Sequence, residues 1–146
     1  MNTLLKVKVK VKDEYIKMIK DLLSLINSEK DEDFYIWKSL YRKYKFDWIK
    51  DYSELEKADY IPFGIISEEY NDWCKDPELN ELREGNWTFV CELRNENNEI
   101  EKFIFNILSN IVADNESNHI LTKCKSTGIT YIYNIKNTVV IRSVMQ

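Results

Sequence analysis

The side chains able to do acid–base or nucleophilic chemistry are one histidine, three cysteines and 25 carboxylates. Glu78, Glu81 and Glu84 recur every three residues, and Glu68 precedes Asp72 by four. Either spacing places carboxylates on one face of a helix, where a pair can act as general acid and base or hold magnesium. Catalytic carboxylates usually have apolar neighbours that raise a pKa. These carboxylates lie in polar sequence, which favours a solvated surface over a catalytic or metal site.

His119 and the cysteines do not form a recognisable catalytic arrangement. A histidine base needs a nucleophile or water and an orienting group, and Cys124 is five residues away, on the opposite face of a strand. With Cys74 and Cys91 the cysteines lack C-x-x-C spacing, so we interpret them as small core hydrophobes. The three glycines are too scattered for a phosphate-binding loop. We predict no catalytic residue, no metal and no cofactor, and the protein is not expected to be an enzyme.

Charge is distributed in three blocks along the chain. Residues 51–101 carry 15 Asp/Glu against 4 Lys/Arg, whereas residues 1–50 carry 8 against 12 and residues 102–146 carry 2 against 5. A block of one sign on a compact domain attracts partners of the opposite sign. Tyrosines and tryptophans lie among these acids, and such rings supply large contact areas at interfaces. The middle block therefore has the composition of a surface that binds a basic protein.

This pattern predicts a small acidic inhibitor of a basic, nucleic-acid-acting enzyme or toxin, that is, an immunity-type or anti-defence protein. Direct binding to nucleic acid is not expected, because the isoelectric point is about 5.2 and phosphate binding depends on cationic contacts. An ordinary solvated surface is the simpler explanation of the same acids. The predicted partner-binding residues are Asp51, Glu54, Glu56, Asp59, Glu68, Glu69, Asp72, Trp73, Asp76, Glu78, Glu81 and Glu84.

A ligand-binding domain is the alternative function. A cone-shaped α+β domain would hold a small molecule between its helices and a concave sheet, and such a domain could be enzymatic. The chain has enough aromatic residues to line such a pocket. The candidates are Trp37, Trp48, Trp87, Phe103 and Tyr131.

In the first half of the chain, hydrophobic periodicity predicts one strand followed by helices. Residues 6–12 alternate lysine with valine, which predicts an edge strand, because lysines at an edge discourage pairing with other chains. Asp13 is expected to cap a helix that ends at Ser28. A second helix is expected from Phe34 to Trp48. Shorter helices are predicted at residues 53–59, 67–74 and 77–83, the last ending at Gly85.

In the second half the period changes to two, which predicts strands. We expect a hairpin of residues 87–93 and 103–107, followed by strands at residues 119–125, 129–135 and 138–144. The prediction is one α+β domain over residues 1–146, with an N-terminal strand and a helical half packed on a four- or five-stranded antiparallel meander sheet. There is no apolar run of the length of a signal peptide or membrane span, so a cytoplasmic protein without membrane contact is expected.

Overall fold

The computed structural model describes residues 3–27, 36–48, 61 and 81–145. These residues form three helical regions and a six-stranded antiparallel sheet, so the predicted α+β class is confirmed, with six strands rather than four or five. The strand order in the sheet is β2, β3, β1, β4, β5, β6. The strands are β1 (Thr3–Lys10), β2 (Glu81–Arg83), β3 (Asn86–Leu93), β4 (His119–Cys124), β5 (Thr130–Lys136) and β6 (Val139–Val144).

The helical regions pack on one face of this sheet. A 3₁₀ turn (Asp13–Tyr15) leads into α1 (Ile16–Asn27), and α2 (Ile36–Tyr44) follows. The third region runs without a break through α3 (Glu99–Phe103), a π-helical turn (Ile104–Leu108) and α4 (Ser109–Ile111). Its buried side chains join those of α1, α2 and the sheet in one core cluster. No helix in the described part of the chain is long and apolar enough to cross a membrane.

β1 lies at the centre of the sheet, so its prediction as an edge strand is wrong. Val7 lies opposite Phe89 of β3 on one side and Ile120 of β4 on the other. The lysines of β1 project from the face of the sheet, with Lys8 and Lys10 exposed, and do not protect an edge. An edge strand and a central strand show the same alternation of lysine and valine in the sequence, because side chains point perpendicular to the backbone ladder.

The two faces of the sheet differ in chemistry. Leu5, Val7 and Val9 of β1 are buried against the helices. The other face carries a set of basic side chains, which we call the lysine face, together with buried Leu4, Val90 and Leu121. These basic residues belong to β1 and β4, and the register sets Lys8 directly opposite His119. They are Lys6, Lys8, Lys10, His119 and Lys123.

Residues 103–107 are helical, so the predicted strand there is wrong. Ile104, Leu108 and Ile111 are buried at spacings of four and three, as expected for the inner side of a helix. Phe103 and Ile107 are also buried, and exposed Phe105 between them produces the apparent alternation of a strand.

The β2–β3 hairpin replaces the end of the helix predicted at residues 77–83. Glu84 and Gly85 form its two-residue turn with φ of 53° and 80°, the left-handed conformation that such a turn requires. Gly85 therefore reverses a hairpin and does not end a helix. Residues 77–80 and the helices predicted at 53–59 and 67–74 lie outside the described residues.

The other predicted elements agree more closely with the structure. Strands β4, β5 and β6 form the predicted meander, and Asn137 and Thr138 make its second turn, one residue later than expected. Helix α1 and the turn before it confirm the first helix, but Lys12 holds the N-cap position, without a side-chain hydrogen bond. The prediction that Asp13 caps this helix is therefore wrong.

Candidate functional site

Two of the twelve predicted partner-binding residues, Glu81 and Glu84, belong to the described part of the chain. Both lie in the β2–β3 hairpin, Glu81 on β2 and Glu84 in the turn. The remaining ten lie outside the described residues, so their arrangement stays a prediction. They are Asp51, Glu54, Glu56, Asp59, Glu68, Glu69, Asp72, Trp73, Asp76 and Glu78.

The hairpin surface carries both signs of charge. An Oε1 atom of Glu81 lies 2.8 Å from Nη2 of Arg83, so this carboxylate is paired within its own strand. Glu84 is exposed. An open cavity of about 300 Å³ beside them is lined by Lys8, Glu81, Arg83, Glu84, Asn86 and Thr88. The cations next to the two acids prevent this hairpin from forming a purely acidic surface.

The lysine face is a basic region that sequence reasoning placed at an edge. Lys8 lies opposite His119, and Lys6 lies two pairs further along the same two strands, opposite Leu121. Burial lowers the pKa of His119, and the charges of Lys6 and Lys8 lower it further, because each disfavours a protonated imidazole. Burial and the two lysines thus disfavour a protonated His119, and among the described residues its neighbours on β1 are lysines rather than the orienting carboxylate of a catalytic base.

The aromatic residues expected to line a pocket mostly form packed core. Trp37, Trp87 and Phe103 are fully buried, and the rings of Trp37 and Phe103 are 5.9 Å apart. Trp48 stacks on Phe46 with ring centroids 4.2 Å apart. A large aromatic side chain fills volume as readily in a core as in a ligand site, and sequence does not distinguish the two. Of the five candidates, Tyr131 lines a cavity in the described structure.

The cavity at Tyr131 lies at one end of the sheet, beside the start of α3, and has a volume of about 220 Å³. The acidic side chain in its lining, Glu101, is paired with Arg142 at 3.0 Å. The same guanidinium lies 4.6 Å above the ring of Tyr131. The cavity is lined by Thr3, Arg94, Asn95, Asn98, Ile100, Glu101, Thr122, Cys124, Tyr131 and Tyr133.

Cys124 lines this cavity and is only partly buried, so its interpretation as a core hydrophobe is wrong. Its Sγ lies 3.4 Å from Oγ of Ser126. Hydrogen bonds from Ser126 and Thr127 stabilise the thiolate and lower the pKa of Cys124 to about 6. Cys91, by contrast, is fully buried, and burial raises its pKa. The signal available in the sequence is the pair of hydroxyl residues that follows Cys124 in the turn to β5.

We expect Cys124 to be alkylated by iodoacetamide at neutral pH much faster than Cys91. The rate should rise with pH through about 6 and level off above it, because the thiolate is the nucleophile. Ser126→Ala should move this profile to higher pH, since it removes the leading stabilising hydrogen bond. Peptide mass spectrometry in a Cys74→Ser background measures each site. Equal profiles for the parent and Ser126→Ala proteins would contradict the assignment.

Known proteins do not identify this site. Comparison with protein-family models, with curated proteins and with solved structures found no match to the chain. Among the described residues, no group of three or more His, Cys, Asp or Glu side chains is placed to hold a metal ion. The argument for function therefore depends on the residues of this chain.

Proposed function

We propose that this protein is a protein-binding inhibitor that captures a basic partner, in the manner of an immunity or anti-defence protein. The observation that carries the proposal is the excess of 15 Asp/Glu over 4 Lys/Arg in residues 51–101. Such a block creates a negative potential that accelerates encounter with a basic protein, while packed aromatic rings slow its release. The proposal assigns no catalytic residue.

The packing of the described residues supports binding at a surface. Trp37, Trp87 and Phe103, which would have lined an aromatic pocket, are fully buried among one another and their neighbours. The cavity at Tyr131 has about 220 Å³ and many polar residues. Ligand pockets are typically larger, roughly 300–1,000 Å³, and mostly apolar. Within the part of the chain that the structure describes, the filled aromatic core therefore supports a protein partner at a surface over a small ligand in an aromatic pocket.

The acids of residues 81–101 contribute only part of the expected charge. Glu81 and Glu101 are each paired with an arginine, and Glu92 and Glu99 are buried. Glu84 and Glu96 are exposed. We therefore expect the acids between Asp51 and Glu78 to dominate attraction to the partner.

The lysine face would set the orientation of the partner. Lys8 and Lys10 are exposed there, and a basic protein that contacts the acidic segment is repelled by them. Repulsion from one surface and attraction to another limit the complex to one orientation. We also propose a cytoplasmic location, where the thiols of Cys91 and Cys124 would stay reduced.

Capture of the partner from the native cells at two salt concentrations tests the proposal. We expect one basic protein to be recovered in near-stoichiometric amount at low salt and much less at about 0.5 M salt, where exposed charges are screened. Mass spectrometry of the eluate identifies it. Recovery that is indifferent to salt, or recovery of no basic protein from cells that express a candidate partner, would contradict the electrostatic model.

A charge-matched pair of variants distinguishes the effect of the acidic segment on association from the effect of net charge. The test variant carries Asp51→Asn, Glu54→Gln, Glu56→Gln and Asp59→Asn. The control neutralises four exposed acids in the basic blocks, Asp13→Asn, Glu14→Gln, Asp47→Asn and Glu116→Gln. At low salt we expect association with the captured protein to slow at least about tenfold in the test variant and little in the control. Equal slowing would show that only net charge matters.

A further inference from the structure

The large hydrophobic residues that are exposed in the described part of the chain gather at one edge of the sheet. Val139, Ile141 and Val144 on β6 each expose 59% of their surface, and Met145 directly after β6 exposes 53%. The other two adjoin β5: Ile129 immediately precedes it, and Phe105 packs its ring 6.5 Å from that of Tyr133. Val139 and Ile141 lie on one face of β6 and Val144 on the other, so this edge is apolar on both faces. Scattered exposed hydrophobics need no explanation, but a concentration along one strand marks an interaction site.

β6 is the last strand of the sheet, with β5 as its neighbour. The N–H of Met145 donates to the carbonyl of Thr130 at 2.9 Å. Backbone groups alternate in direction along an antiparallel strand, so Ile141 and Ser143 also bond toward β5. The alternate residues direct their N–H and C=O groups away from β5, and none of the described strands pairs with them. These residues are Val140, Arg142 and Val144.

β6 lacks the features that usually protect an edge strand. It reads Val-Val-Ile-Arg-Ser-Val, without proline or lysine. Its one charge, Arg142, is neutralised by Glu101 within the same chain at 3.0 Å. A partner strand can therefore approach this edge without burying an unpaired charge.

We propose that β6 pairs antiparallel with β6 of a second copy, which joins the two sheets into one of twelve strands. Across a two-fold axis, opposed residues lie on the same face, so two registers overlap five residues of β6 each, one centred on Ile141 and the other on Arg142. The first register places Ile141 against the partner's Ile141 and Arg142 against the partner's Val140. Moving the centre to Arg142 would oppose two guanidinium groups, which is unfavourable. The strand is thus complementary to itself.

The apolar surface along β6 supplies part of the area of such a contact. Val139, Ile141, Val144 and Met145 together present on the order of 400 Å² per copy, against about 800 Å² per partner in a standard interface. The backbone ladder and the stem of Arg142 add to this area. A basic partner gains nothing at this edge, because β6 carries no acid. The inference is therefore independent of the proposed acidic binding segment.

Sedimentation velocity at increasing protein concentration tests this inference. We expect the parent protein to reach the mass of a dimer and Ile141→Lys to remain a monomer, since the proposed register would oppose two lysines. Ile141 is exposed, so this variant should fold, and its thermal unfolding checks that. A parent protein that stays monomeric, or a dimer that Ile141→Lys leaves unchanged, would overturn the proposal.

Disulfide cross-linking tests the register itself, in a Cys74→Ser, Cys124→Ser background. Opposed residues of a non-hydrogen-bonded antiparallel pair have Cα atoms about 4.5 Å apart, within the range of a disulfide. Ile141→Cys should therefore form a covalent dimer under mild oxidation. Asn134→Cys is the matched control, because Asn134 is exposed and lies beside Ile141 on β5, one strand further from the axis.

A mixing experiment excludes cross-linking by chance collision. Ser143→Cys alone should form no covalent dimer on oxidation, because the two copies of residue 143 lie far apart along the paired strands. Mixed with Val139→Cys, which the register places opposite it, the same variant should give a covalent heterodimer. Cross-linking of Asn134→Cys as fast as Ile141→Cys, or of Ser143→Cys with itself, would overturn the proposed register.

Discussion

Phe103→Ala is expected to lower the free energy of unfolding by about 3–5 kcal/mol, the usual cost of removing a buried phenylalanine ring. Phe103 is fully buried, and its ring centroid lies 5.9 Å from that of Trp37 on α2 and 6.0 Å from that of Phe89 on β3. It therefore joins two helical regions and the sheet. Truncation leaves a cavity that none of these elements can close alone. Urea unfolding followed by circular dichroism measures the loss.

Phe105→Ala is the matched control for this variant. Phe105 lies two residues later and is 45% exposed, so its truncation should cost less than about 1 kcal/mol. The comparison also tests the local structure. If residues 103–107 formed a strand, Phe103 and Phe105 would share one face and would be buried or exposed together. Similar losses for the two variants would therefore contradict the helix.

Elements whose hydrophobic pattern has a single period could be predicted from the sequence. The apolar residues of α1 recur at helical spacing, and the strands of the β4–β6 meander are separated by short polar turns. Within residues 99–111, Phe103, Phe105 and Ile107 match the strand period of two, so this short stretch fits a strand as well as a helix. The longer series from Ile100 to Ile111 identifies the helix.

Strand order could not be predicted, because it depends on contacts between residues far apart in the chain. The position of β1 between β3 and β4 joins residues 3–10 to residues more than 75 positions later. Its alternation of lysine and valine specifies one buried face and one solvated face, but says nothing about neighbours along the hydrogen-bonding direction. The prediction of β1 as an edge strand was wrong because the alternation does not specify which strands lie beside it.

The candidate site, like the fold, could be predicted only where it depends on local sequence and not on contacts between distant residues. Composition indicated that Trp37, Trp87 and Phe103 would lie inside, but only packing shows that they fill a core. The pKa of Cys124 depends on hydroxyls two and three residues away, a local signal that a turn makes effective. The exposed edge at β6 could be recognised only from the strand order, since Val139 and Ile141 would be ordinary sheet residues in a central strand.

The two proposed contacts use different parts of the molecule and different forces. Association at β6 depends on apolar area and backbone hydrogen bonds, so it should persist in salt, whereas capture of a basic partner should weaken. A dimer would also present two acidic segments. A partner with two basic sites could then bind both copies, with a gain set by the distance between the segments. Capture by Ile141→Lys would measure that gain.

Lys8→Pro is expected to destabilise the protein by at least about 3 kcal/mol, because proline cannot donate a ladder hydrogen bond and leaves a neighbouring carbonyl unpaired. Lys8 lies opposite Thr88 on β3 and His119 on β4, so its backbone is enclosed by strands on both sides. At an edge, with its N–H toward solvent, the same substitution would be tolerated. Urea unfolding measures the loss, and soluble yield reports it if the variant does not fold.

Two controls assign this loss to the backbone of a central strand. Lys8→Ala removes an exposed side chain but keeps the N–H, and should change the free energy of unfolding by less than about 0.5 kcal/mol. Val144→Pro places proline on β6, where the N–H points away from β5, and should cost far less than Lys8→Pro. If Lys8→Pro were as stable as Val144→Pro, β1 could not lie between β3 and β4. The sheet order that exposes β6 would then need revision as well.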